Sequence, residues 1–158
     1  MKVTIRENTI IQPVPTIDLL KEKERKWRLH LPDDYKSFIM KYNGAIPDKT
    51  SFVCDNHSYV IERFLCILKN ASDNQNGWYD ISVVESQIGE RLTSNEDLIG
   101  VEVLPIAALF AGDYLCLDFR EKMQIPEVCV WSHEESEDFS PIIYKVADSV
   151  SAFFEMLC

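Results

Sequence analysis

The segment Tyr114-Leu115-Cys116-Leu117-Asp118-Phe119 limits the fold of this chain more than any other. Its apolar character runs almost unbroken, without the polar–apolar alternation of a half-exposed strand. That pattern marks a strand buried on both faces, near the middle of a sheet. After one turn, Val128-Cys129-Val130-Trp131 reads as the next strand. The short spacing between the two favours an antiparallel pair.

Upstream of this β-rich half, Ser51–Cys54 and Tyr59–Leu68 are rich in β-branched and aromatic residues and read as strands, as does Val101–Leu109, which leads to a turn at Ala111-Gly112-Asp113. Four helices are expected. Thr16 can cap the first, which carries Ile17, Leu20 and Trp27 at helical spacing and a solvated face of ion-pairing residues from Lys21 to Lys26. Pro32 opens the second, with Asp33 and Asp34 at the positive end of its dipole. Its apolar face is Tyr35, Phe38, Ile39 and Tyr42, and Asn43-Gly44 stops it. Ile81, Val84 and Ile88 mark the third, capped by Asp80 or Ser82. Val150, Phe153, Phe154 and Leu157 mark the last, capped by Asp148 or Ser149. Residues 70–77 and 93–100 are polar and read as loops.

The 158 residues contain no internal repeat or low-complexity linker, so residues 1–158 are expected to form one domain. A chain of this size can bury a core without disulfides or metal. The five cysteines (Cys54, Cys66, Cys116, Cys129 and Cys158) are odd in number and widely spaced, and read as reduced thiols. The N-terminus lacks a signal-peptide pattern and no segment is long enough to span a bilayer, so a cytoplasmic protein is expected. The formal net charge of −10 disfavours binding to nucleic acid or to an anionic membrane. It favours fast encounter with a basic protein, although solubility alone also accounts for it.

Signatures of chemistry are sparse. There is no G-x-S-x-G elbow, no phosphate-binding glycine loop and no dinucleotide fingerprint, and only five glycines to build one. No cofactor is expected. Cys54-x-x-His57 is half of a zinc motif with no second half nearby, so no metal site is expected. Asp113, Asp118 and Glu121 cluster in sequence and could in principle serve as paired acids, but their spacing does not give their separation.

The densest charge is His133-Glu134-Glu135-Ser136-Glu137-Asp138, directly after the Trp131 strand. A solvated loop is the commoner outcome for such a run. The functional reading is a docking patch for a basic partner, built from Glu134, Glu135, Glu137 and Asp138 together with Asp113. Buried aromatics usually hold most of an interface's energy. Trp78, Tyr79, Trp131 and Phe139 are the candidates, although burial in the core is the commoner outcome for each.

Leu31-Pro32-Asp33-Asp34-Tyr35-Lys36-Ser37-Phe38 followed by Asn43-Gly44 resembles the L-P-x-x-Y-x-x-F…N-G signature of the SUKH superfamily. Leu104-Pro105-Ile106, then Gly112-Asp113-Tyr114-Leu115-Cys116-Leu117-Asp118, resembles its G-[DN]-x-x-C-x-D block. Val128–Trp131 with His133, and the helix within 147–157, are similar to its end. His30 stands where glycine or an acidic residue is frequent in the family, and Ala45 where a second glycine is; both departures touch turns rather than the fold.

The resemblance implies an α+β domain with a mixed, largely antiparallel sheet packed against helices. It implies that Leu31, Pro32, Tyr35, Phe38, Asn43, Gly44 and Asp118 support the fold. In bacteria it implies a non-enzymatic immunity protein that binds and neutralises a protein toxin, such as a nuclease. A regulatory scaffold of the cell-wall assembly type is the alternative, and a hydrolase using acidic residues or Cys116 the second. Asp118, a carboxylate in an apolar strand, needs a partner; loop amides or a nearby arginine such as Arg120 are expected to supply it.

Overall fold

The computed structural model describes residues 3–121 and 124–158. The first two residues of the expected lead-in, and residues 122–123 of the turn expected after the Tyr114–Asp118 strand, lie outside them. The order of elements is β1 (Ile5–Arg6), α1 (Ile17–Trp27), α2 (Asp33–Tyr42), β2 (Ile46–Pro47), β3 (Ser51–Cys54), β4 (His57–Phe64), α3 (Ile81–Ile88), β5 (Val103–Leu109), β6 (Tyr114–Asp118), β7 (Glu127–Trp131), β8 (Ile143–Ala147) and α4 (Val150–Met156).

Strands β3 to β8 form one sheet in sequential order, and every neighbouring pair is antiparallel. β1 and β2 make a separate two-stranded ribbon. The fold is α+β, as the sequence implied. The parallel component of the expected mixed sheet shrinks to one isolated bridge, Cys66 with Asp80, outside the named strands.

β6 lies inside the sheet with both faces covered, which explains its composition. Leu115 and Leu117, with Val128 and Val130 of β7, enter the main core beside the helices. Cys116, Cys129 and Trp131 point the other way, into a second cluster with Val103 and Leu92. The expected strand over residues 59–68 ends at Phe64. Leu65–Leu68 stay buried but leave the ladder, so the apolar pattern outlasts the strand.

Local chemistry sets the helix ends. The Thr16 hydroxyl accepts the Leu19 N–H at 3.1 Å and Ser149 accepts the Ala152 N–H at 3.1 Å, both as N-caps. Asp34, in the first turn of α2, accepts both the N–H and the hydroxyl of Ser151 at 3.0 and 2.8 Å, so the starts of α2 and α4 are tied together. Phe38, Phe64 and Phe154 then meet edge-on or tilted, with centroids 4.7 to 6.1 Å apart.

α2 stops where Gly44 turns left-handed, with φ +66°. Asn43 beside it is fully buried. Its amide donates to the carbonyls of Ile11, Pro13 and Ile67, and its oxygen accepts the Ile67 N–H at 2.8 Å. One side chain thus joins the end of α2 to the lead-in and to the segment after β4.

The sheet curls until its first and last strands meet. The Cys54 thiol of β3 donates to the Lys145 carbonyl of β8 at 3.2 Å. Register shifts in β4–β5, β5–β6 and β7–β8 add curvature, and Pro105 sits at one of them, where a missing N–H is tolerated. The outer edge of β3 is partly closed by the chain's last residue, since Ser51 and Cys158 exchange two backbone hydrogen bonds at 3.1 and 2.9 Å. Among the described residues no helix is long and apolar enough to cross a membrane.

Candidate partner-binding cleft

Three loops and three strands meet at one open end of the curled sheet and enclose a cleft of about 520 Å³. Asp55-Asn56 is a two-residue hairpin between β3 and β4, both residues at positive φ (50° and 64°), as a type I′ turn demands. It places Asp55 at the rim, with Cys54 and His57 at the ends of the flanking strands. The β5–β6 turn, left-handed at Ala111 (φ 73°) and Gly112 (φ 92°), brings Ala111 and Asp113 to the opposite side. The loop after β7 supplies Ser132, Glu134 and Glu135. Tyr59 of β4 and Tyr144 of β8 provide the aromatic surface.

The described lining carries four carboxylates and no lysine or arginine. Two of the carboxylates are held in place. Asp113 accepts the His133 N–H at 2.8 Å, which ties the β5–β6 turn to the acidic loop. Glu135 receives the Tyr144 hydroxyl on both oxygens, at 2.7 and 2.9 Å. Burial first, then the neighbouring Cys54, Asp113, Glu135 and Asp55, raise Tyr59 above the ordinary phenol value. The hydrogen bond to Glu135 raises Tyr144.

The acidic loop is built from beneath. Arg91 donates to the carbonyls of His133 and Ser136, and its guanidinium lies over the Trp131 ring, 5.0 Å from the centroid. Ser136 is buried, and its hydroxyl accepts the Ile142 N–H at 2.9 Å. A loop so anchored presents its carboxylates on a fixed frame.

The structure divides the residues singled out from sequence. Glu134, Glu135 and Asp113 converge on the cleft. Asp138 turns the other way, with Phe139, into a second acidic groove of about 550 Å³ that also includes Glu90, Glu96 and Glu102. Glu137 is exposed at a tight backbone turn with Ser140 and lines neither concavity. Trp78 is 72% exposed but also lines neither. Trp131 is a correction. It is 0% exposed and its indole N–H donates to the Arg91 carbonyl at 2.8 Å, so it supports the loop from the core and cannot touch a partner.

Of the fold-motif residues, Leu31, Tyr35, Phe38, Asn43 and Gly44 are buried. Asp118 has the partner expected for it: its carboxylate accepts the Arg120 backbone N–H at 3.0 Å and two guanidinium nitrogens at 3.0 and 2.9 Å. Asp113 and Asp118 lie at opposite ends of β6, about 16 Å apart at about 3.3 Å per residue, too far to serve as an acid–base pair. Cys116 is wholly buried. Cys54 and His57 do share the cleft, yet among the described residues no three His, Cys, Asp or Glu side chains are arranged to hold a metal ion.

Sequence reasoning missed Asp55, Tyr59 and Tyr144. The Asp55-Asn56 dipeptide is a hairpin signal that would have brought Asp55 and His57 to a sheet end. Tyr144 carried no comparable signal, because only the curl of the sheet brings β8 opposite β4.

A six-stranded curled sheet, four helices and an acidic, tyrosine-lined cleft at its open end define a small α+β domain. The chain belongs to the SUKH family: the family model described as SMI1-KNR4 cell-wall matches residues 17–154. It is also similar to the SPbeta prophage-derived uncharacterized protein YokK of Bacillus subtilis (strain 168), with 24% identity over 153 residues, covering 89% of this chain and 73% of that one. No solved structure gives a significant match.

Proposed function

We propose that this chain is a non-enzymatic protein-binding domain, an immunity protein that binds and neutralises a basic toxin through the cleft at the open end of its sheet. The observation that carries the reading is the convergence of Asp55, Asp113, Glu134 and Glu135 on one preorganised cavity whose lining, among the described residues, includes no lysine or arginine. Uncompensated charge of one sign in a concave site speeds encounter with the opposite sign and rejects like-charged partners. Family membership and likeness to a prophage protein agree with such a role. Two features weigh against a hydrolase: the Asp113–Asp118 separation and the buried Cys116 thiol. We further propose that the protein acts in the cytoplasm as one domain.

The test is neutralisation. Protein retained by the tagged chain from its native cells is identified, and its gene is expressed alone and together with this chain. Growth arrest by the partner alone, relieved by co-expression, supports the reading. A partner that is harmless alone, or whose toxicity persists in the presence of the chain, refutes it and favours the scaffold alternative.

A further inference from the structure

We propose that the cleft is a receptor for a single arginine side chain projecting from the protein partner. The inference rests on the protein-binding reading and specifies its chemistry. A guanidinium is flat, always charged, and suited both to stacking on aromatic rings and to paired carboxylate acceptors. The cleft offers both. Tyr59 and Tyr144 contribute ring surface, and Asp113 and Glu135 contribute oxygens whose positions are set by the His133 N–H and the Tyr144 hydroxyl. Because these acceptors are already oriented, little ordering remains to oppose binding. An ammonium group can use the charge but not the flat surface or the paired geometry. The volume of about 520 Å³ exceeds one side chain, leaving room for the adjoining partner backbone at the mouth.

Phe110, 76% exposed, begins the turn whose next residue, Ala111, is left-handed and lines the cleft. Strained backbone of this kind persists where surrounding structure enforces it, often at functional sites. The turn that carries Asp113 into the cleft therefore also carries an uncovered aromatic ring.

The probes are N-acetyl-arginine-N-methylamide, N-acetyl-lysine-N-methylamide and free L-arginine, titrated into isotopically labelled full-length protein while amide resonances are followed. The blocked arginine is expected to shift residues 55–59, 111–114 and 132–135, and to bind about fivefold tighter than the blocked lysine. Glu135→Gln and Asp113→Asn should each weaken it by about threefold or more, while Glu102→Gln in the neighbouring groove should leave it unchanged. Free arginine, whose carboxylate meets the cleft's own charge, should bind more weakly than the blocked form. The proposal is overturned by equal affinity for the arginine and lysine probes, by shifts confined to the groove around Glu102, or by no shifts. Tighter binding of free arginine would also overturn it, in favour of a metabolite site. The probes contain no partner protein, so failure here removes the arginine subsite and leaves the protein-binding reading to the neutralisation test.

Discussion

Arg91 and Trp131 hold one another. The indole N–H donates to the Arg91 carbonyl at 2.8 Å, while the Arg91 guanidinium lies over the indole face, 5.0 Å from its centroid, and continues to two carbonyls of the acidic loop. Trp131 thereby fixes Arg91, and Arg91 fixes the loop bearing Glu134 and Glu135. Hydrogen bonds to charged groups contribute about 1.5–3 kcal/mol each, and less where solvent reaches them, as at the exposed bond to His133. Arg91→Ala is expected to destabilise the protein by about 2–3 kcal/mol in urea unfolding and to broaden the amide resonances of residues 132–138. Arg91→Lys should recover little of this, since an ammonium lacks the planar fork. Full recovery by lysine would show that charge alone holds the loop.

Asn43 makes a different prediction. Its amide satisfies buried backbone groups from two segments, and its removal leaves them without partners. Asn43→Ala is expected to cost about 3 kcal/mol or more, larger than truncation at an exposed site, measured by the denaturation midpoint.

The two turn glycines separate strain from crowding. Gly44 and Gly112 both have positive φ, but an added Cβ at Gly44 meets Ile11 Cδ1 at 2.5 Å, while at Gly112 the nearest atom is His133 Cγ at 3.5 Å. Gly112→Ala should show the backbone penalty alone, about 1 kcal/mol. Gly44→Ala should lose distinctly more. Equal losses would mean that Ile11 yields without cost.

Asp80 gives the fold a pH dependence. It is buried, and that burial raises its carboxyl above the ordinary value of 3.8, opposed in part by Lys23 and Lys26 and by backbone N–H groups of Leu68 and Ser82. The folded state therefore holds this proton more tightly than the unfolded chain. Its contribution is fully present below the ordinary carboxyl value and is lost as pH rises through the folded one. Asp80→Asn should remove this slope, so its stability relative to the wild type is expected to be more favourable at pH 7 than at pH 3.5. A difference independent of pH contradicts the account.

Much of the fold was legible before the structure, and for identifiable reasons. Leu115, Cys116 and Leu117 marked the buried strand because both faces of β6 are covered. Thr16 and Ser149 announced their helices because a hydroxyl at that position can satisfy the helix's free N–H groups. Part of the candidate cleft was legible as well, since Asp113, Glu134 and Glu135, three of its four carboxylates, stand out in the sequence as an acidic cluster. What stayed hidden depended on the curl of the sheet: Tyr59 with Tyr144, and the division of the run between two concavities, with Glu134 and Glu135 on one side and Asp138 on the other. Trp131 was misassigned because an aromatic at the end of a strand looks alike from sequence whether it faces a partner or supports a loop.

The most direct test of the central claim, that the acidic cleft binds a basic protein, is retention from the native cells by the wild-type chain and by Asp113→Lys/Glu134→Lys/Glu135→Lys, at low and at high salt. The account predicts one basic protein held stoichiometrically by the wild type at low salt, released as salt screens the cleft, and not held by the triple variant. The same protein retained equally by both forms, or no specific protein retained by the wild type at either salt, contradicts it.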